Sequence, residues 1–246
     1  MRLVVLLISG CSALVRVNFN EIPGLAGGEV GKPGVIVIQE WWGLTPQVEA
    51  HAEKIAAMGY RVLVPDIYKG ASTVEAEEAH HMMANLDFPN AIREIAQGAA
   101  WLKEEGSPTV GVVGFCMGGA LTLGALAASP DIVAGAPFYG VNFDLFGDLA
   151  GKAIQAHFGA LDAFEGFADP GTAAKLQRTC PHAEVYVYDG VGHAFMNDTP
   201  SPFKTFEARE AKMGFPPFDR AQADLAWSRL FEFFNTHLSA SSPPDL

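Results

Sequence analysis

The segment Gly114-Phe115-Cys116-Met117-Gly118-Gly119 follows the apolar run Val110 to Val113 and precedes an Ala/Leu-rich stretch. Strand, sharp turn and helix in that order lift a nucleophile above the end of a sheet, here with a thiol in place of the usual hydroxyl. Glycines are needed on either side because the strained turn brings neighbouring backbone too close for side chains. The helix that follows points its positive end at the sulfur and favours the thiolate. A buried structural cysteine and a dinucleotide-binding loop are the competing readings. The second lacks the G-x-G-x-x-G spacing and has no acidic residue at a strand end about 20 positions on.

A thiol nucleophile needs a base and a group to orient that base. Gly159-Ala160-Leu161-Asp162 follows the apolar run Ala153 to Phe158, and Asp189-Gly190-Val191-Gly192-His193-Ala194-Phe195 follows Glu184 to Tyr188. Cys116, Asp162 and His193 therefore occur in the order nucleophile, acid, histidine, each in a loop after a predicted strand. In that division of labour His193 takes the thiol proton and returns it to the leaving group, while Asp162 fixes the tautomer and stabilises the imidazolium. Asp144 and Asp189 are alternatives for the acid. Asp189 lies only four residues before the histidine, and Asp144 falls in a loop of no clear structure.

An oxyanion formed at this sulfur requires two N–H donors. The backbone N–H of Met117 is the first, and that of Trp41, in the loop Gln39-Glu40-Trp41-Trp42-Gly43 after an early strand, is the second. Glu40 stands out in that loop, because a carboxylate beside two tryptophans is costly to bury without a partner. Trp41, Trp42, Phe138, Tyr139 and Phe195 lie near predicted strand ends, as candidates for either an apolar pocket or the core.

The elements that must position these residues alternate strand with helix. Val35 to Gln39 and Arg61 to Pro65 read as buried strands, with a helix from Pro46 to Met58 between them and a stop at Gly59. Helical periodicity covers Val74 to Asn85 and then Asn90 to Glu105, with Asn90 as cap and Gly106 as terminator. Val110 to Phe115, Ile132 to Phe138, Ala153 to Phe158 and Glu184 to Tyr188 are further strands. Helices are predicted at Met117 to Ala128, Thr172 to Arg178 and Ala221 to Leu238. This pattern predicts an α/β fold over residues 1–238, a mostly parallel central sheet with helices on both faces and chemistry at the carboxyl ends of the strands. The tail 239–246 is expected to be disordered.

G-F-C-M-G-G, Q-E-x-x-G, G-x-x-D and G-x-G-H-x-F in this order, together with Pro65-Asp66-Ile67-Tyr68, resemble the dienelactone hydrolase (carboxymethylenebutenolidase) family of α/β-hydrolases over about Gly34 to Leu238. The resemblance implies an α/β-hydrolase fold and hydrolysis of a small ester or lactone through an acyl-cysteine, with Cys116, Asp162 and His193 as triad and no cofactor or metal. It also implies that Glu40 contacts the resting thiol and helps to deprotonate it when substrate binds. The chain departs from the family pattern at Asn197, where an arginine four residues after the histidine grips the substrate carboxylate, and no arginine occurs in Val74 to Leu86. A substrate without a carboxylate, or one held elsewhere, is the consequence, and Asn197 joins Trp42, Tyr139 and Phe195 as a candidate substrate contact. The Pro-containing stretch Met196 to Asp219 reads either as a lid or as a surface excursion. A carboxylesterase or thioesterase with an apolar acyl pocket, and a catalytically silent small-ligand binder on the same fold, are the rival functions.

Composition sets the remaining bounds. Of 246 residues, 49% are hydrophobic and 18% charged, enough apolar character for a sizeable core and too much for disorder. With 16 basic and 28 acidic side chains the net charge is −12, which argues against a nucleic-acid partner. The three cysteines (Cys11, Cys116, Cys180) form neither a disulfide framework nor a zinc site. Met1 to Cys11 imitates a lipoprotein signal, yet its apolar run of six residues is short for one, so a strand leading into Leu14 to Phe19 is the alternative. The expectation is a cytoplasmic monomer or small homo-oligomer with no membrane partner unless Cys11 is lipidated. His80-His81 reads as part of a solvated helix, His157 as a hydrogen-bonded core histidine, and His51, His182 and His237 carry no supporting motif.

Overall fold

The computed structural model describes residues 13–239. The signal-like start ending at Cys11 and the tail 240–246 lie outside the described residues. Eight strands form one sheet in the order β1-β2-β4-β3-β5-β6-β7-β8. They are β1 (Val15–Phe19), β2 (Ile22–Gly27), β3 (Gly34–Ile38), β4 (Arg61–Pro65), β5 (Val110–Phe115), β6 (Ile132–Phe138), β7 (Ala153–Gly159) and β8 (Glu184–Tyr188). From β4 to β8 neighbouring strands are parallel, while β1 and β2 add an antiparallel edge. The helices are α1 (Pro46–Ala57), α2 (Ala76–Ala84), α3 (Phe88–Glu104), α4 (Met117–Ala128), α5 (Pro170–Thr179), α6 (Phe206–Met213) and α7 (Arg220–Leu238).

The unbroken apolar strands make sense because both faces of the sheet are covered. Ile36 and Ile38 belong to a core that also holds Ile95 and Leu102 of α3, Leu121 of α4 and Leu176 of α5. Their neighbours Val35 and Val37 point the other way, into a second core with Val48 and Ile55 of α1 and Trp227, Leu230 and Phe234 of α7. A period of two in the strand thus feeds two separate layers. The last turn of α7 is tied back by Thr109, whose hydroxyl donates to the carbonyl of Leu238 at 2.5 Å.

One local expectation is corrected, and two elements were not anticipated. α3 begins at Phe88, and its cap is Asp87, whose side chain accepts from the Asn90 N–H at 3.0 Å, so Asn90 lies inside the first turn. A capping oxygen serves the N–H groups two or three residues ahead, and Phe88-Pro89 between them fits the first helical positions. β2 is a strand despite Pro23 and two glycines, because it sits next to the sheet edge and pairs antiparallel on both sides. The Met196 to Asp219 stretch contains α6, capped by the Thr205 hydroxyl and closed by Gly214 at φ 68°.

Parallel register brings the functional loops to one end of the sheet. Ile38 lies beside Gly114, Phe115 beside Phe138, Phe138 beside His157, and Gly159 beside Tyr188. The residues after each of these strand ends therefore emerge side by side.

Candidate active site

Cys116 sits between β5 and α4 with φ 55° and ψ −115°, a backbone shape that residues other than glycine rarely adopt. Two contacts hold it: its N–H donates to the Phe138 carbonyl at 3.0 Å, and its carbonyl accepts from the Ala120 N–H at 3.2 Å. The flanking glycines are required by space. A Cβ on Gly114 would stand 2.0 Å from the Gly118 carbonyl oxygen, and one on Gly118 would stand 2.5 Å from that of Ile38. The turn thus seats the sulfur at the end of the sheet while its backbone is locked by close packing.

The acid and the base come from loops that hold each other. The N–H groups of Ala160 and Leu161 donate to the carbonyls of Tyr188 and Val191 at 2.8 and 2.9 Å, joining the loop after β7 to the loop after β8. Across that junction His193 Nδ1 lies 2.7 Å from Asp162 Oδ2, and His193 Nε2 lies 3.1 Å from Cys116 Sγ. Asp162 Oδ1 accepts from the Phe164 N–H at 3.1 Å, so both carboxylate oxygens are occupied. Asp144 and Asp189 are exposed, and the imidazole turns to Asp162. Phe164, Tyr139 and Phe215 surround the His193 ring with centroids at 4.5, 5.1 and 5.5 Å. Burial alone pushes this imidazole down, but the charge at Cys116 and the Asp162 hydrogen bond outweigh it and hold His193 above its ordinary range.

Glu40, buried in the loop after β3, does not hydrogen-bond to the thiol. The Asn197 amide donates to its Oε1 and Oε2 at 3.2 and 3.1 Å, while the partner of the sulfur is His193. The expected resting contact between Glu40 and Cys116 is therefore replaced by one with Asn197, which satisfies both carboxylate oxygens at once. Burial raises the Glu40 carboxyl above its usual range, opposed by Asn197, His193, Arg209 and Tyr139. Behind it, Asn197 Oδ1 accepts from the Tyr139 hydroxyl at 3.5 Å and faces His51 Nε2 at 3.4 Å. Arg209, on α6 and 3% exposed, donates from Nη1 to the Asn197 carbonyl at 3.3 Å. Neither His51 nor Arg209 had a sequence motif. Each is recognisable only once Asn197 joins their segments.

A cavity of about 450 Å³ opens over the thiol and the imidazole, a size suited to a small organic ligand. Trp41 and Trp42 line it, as do Phe164, Phe167, Met83, His80, Met213 and Phe215. Tyr139, Phe195 and Asn197 are not on this wall; all three are buried behind it, Tyr139 and Phe195 in the core and Asn197 against Glu40. His80 on α2 is exposed, as expected of a solvated helix, and also borders the cavity, while Met213 and Phe215 reach it from α6 and the residues after it. The Met196 to Asp219 stretch thus supplies part of the wall. Met117 opens α4, so its N–H has no carbonyl to pair with inside the helix, and its sulfur accepts from the Tyr68 hydroxyl at 3.0 Å.

His157 is a core histidine, fully buried, within 2.8 Å of the Tyr188 hydroxyl and 3.0 Å of Gln155 Oε1, and stacked on Phe138. Among the described residues no three His, Cys, Asp or Glu side chains cluster as a metal site, and no helix is long and apolar enough to cross a membrane.

Residues 22–238 match the sequence model of the dienelactone hydrolase family. The chain is 29% identical to the protein usf of Aquifex pyrophilus, over 85% of this chain and 90% of that protein. It is 26% identical to a carboxymethylenebutenolidase of Rhodococcus opacus, over 94% of each. The crystal structure of a dienelactone hydrolase from Anabaena variabilis superposes with a TM-score of 0.61 at 15% identity, covering 92% of this chain and 98% of that one.

Proposed function

Because the chain belongs to the dienelactone hydrolase family and is a carboxylic-ester hydrolase, we propose that it cleaves small esters or lactones through an acyl-enzyme on Cys116. The observation that carries this reading is the continuous relay from Sγ through the imidazole to Asp162, with steps of 3.1 and 2.7 Å.

The chemistry follows from that geometry. With Nδ1–H donated to Asp162, Nε2 has its lone pair towards the thiol and takes its proton. The thiolate attacks the substrate carbonyl, forming a C–S bond and moving the π electrons onto oxygen. On this reading the N–H groups of Met117 and Trp41 receive that oxyanion. When the tetrahedral adduct collapses, the C–O bond to the leaving alcohol breaks and His193 delivers the proton to it. In a lactone the alcohol stays attached to the acyl group. Water then gives a proton to His193 and its oxygen to the thioester carbonyl, and the collapse of this second adduct releases the acid and restores the thiol. A raised imidazole suits the first half of the cycle, since His193 must stay protonated until the leaving oxygen needs the proton.

Burst kinetics test the proposal. Mixing with excess p-nitrophenyl acetate releases nitrophenol in a burst equal to the enzyme concentration, and intact-mass analysis places an acetyl group on Cys116. Cys116→Ala loses both signals. A burst that survives in Cys116→Ala, or an acetyl group on another residue, rules the acyl-cysteine out.

A further inference from the structure

We propose that this cavity selects uncharged esters or lactones carrying an apolar, preferably aromatic, group and discriminates against substrates that carry a carboxylate. The inference rests on Cys116 as the acyl carrier, because the sulfur fixes where the ester carbonyl must lie and hence which walls the rest of the substrate meets.

Those walls are built of rings and thioethers: Trp41, Trp42, Phe164, Phe167, Phe215 and Met83 surround the space above the thiol. Flat aromatic groups gain contact area and edge-to-face geometry against such a surface without losing a hydrogen bond. A ligand carboxylate meets the opposite situation. It must shed its hydration, and among the described residues no lysine or arginine lines the cavity to replace it. The ionisable acids on the wall are Glu40, deep beside the thiol, and Glu165, exposed at the rim. A ligand carboxylate between them finds an acidic side chain on either hand and, among the described residues, no lysine or arginine.

The one buried guanidinium nearby does not reverse this balance. Arg209 is absent from the cavity wall and its Nη1 is engaged with the Asn197 carbonyl. Asn197 has its amide on the two Glu40 oxygens. The cation is thus engaged on the Asn197 backbone and the amide on Glu40, and neither residue lines the ligand space. The imidazoles of His80 and His193 are the other polar groups of the wall. Over longer range, the net charge of −12 adds to the repulsion of an approaching anion.

Two esters with similar leaving groups separate charge from chemistry: para-ethylphenyl acetate and para-carboxymethylphenyl acetate, assayed under identical conditions. The expected kcat/KM is at least about tenfold higher for the ethyl ester, or about 1.4 kcal/mol. Glu165→Lys is expected to raise the ratio of carboxymethyl to ethyl ester turnover at least about fivefold at low ionic strength, and added salt to shrink that gain. Equal or faster turnover of the carboxymethyl ester by the unaltered protein overturns the inference while leaving the acyl-cysteine intact. If neither ester acylates Cys116, it is the proposed mechanism that fails, and calorimetry still decides the selectivity. Tighter binding of para-ethylphenol than of para-hydroxyphenylacetate upholds it, and equal or weaker binding of the phenol overturns it.

Discussion

His51 lies on α1 between the ring of Phe115, 4.4 Å away between centroids, and that of Trp227 at 5.3 Å. Burial depresses its pKa from 6.5 to about 4, with Asn197 and Asp198 opposing. A base whose folded pKa lies below its unfolded value is neutral in both states above about pH 6.5 and contributes no pH dependence there. Below that the unfolded chain takes up the proton first, so stability falls as pH drops towards 4, by roughly 3 kcal/mol in total. Urea unfolding across this window checks the sign, and His51→Gln, which cannot titrate, is expected to flatten the slope by a comparable amount. At this scale the meeting of Cys116, Asp162 and His193 was legible in the sequence, because each follows a predicted strand end with a glycine within three residues before it. The partner of Glu40 was not. Asn197 stands 157 residues from Glu40 in the chain, and a hydrogen bond across that distance leaves no local pattern.

Elements carry the geometry that residues alone cannot. β5 and α4 were readable to the residue, because a buried parallel strand and an all-round apolar helix both give continuous hydrophobic runs broken only at the turn. β2 was not, since Ile22-Pro23-Gly24-Leu25-Ala26-Gly27 has turn-like composition and owes its strand state to pairing with β1 and β4. α6 was missed for a related reason: eight residues with buried Arg209 give little periodicity, and the helix is recognisable mainly by its Thr205 and Gly214 ends. The tight approach of α4 to β3 makes a prediction at this scale. Gly118→Ala puts a methyl 2.5 and 2.7 Å from the carbonyl oxygens of Ile38 and Gln39, so the helix must retreat from the strand. A loss of roughly 1–3 kcal/mol in urea unfolding is expected, with kcat/KM reduced about a hundredfold if Cys116 is the proposed nucleophile, since small displacements of a reacting group are costly.

Across the whole molecule, two cores on opposite faces of one sheet clamp the strands whose ends bear the site. That arrangement was predictable in outline from the alternation of strand and helix, whereas the wall of the cavity was predictable only at Trp41 and Trp42, because most of the rest is assembled from α2, the loop after β7 and the segment around α6. The same clamp allows one unfavourable feature to persist: the φ of 55° at Cys116, where a Cβ crowds its own backbone by about 1–2 kcal/mol. Cys116→Gly removes that crowding and Cys116→Ala does not. Calorimetric melting is therefore expected to put the glycine variant about 2–4 °C above the alanine variant, the equivalent of roughly 1 kcal/mol for a chain of this size, with both devoid of turnover. Selection for thermal endurance at this position would thus favour glycine and strip the thiol from the site, and the protein with its cysteine stays at the tense end of that trade.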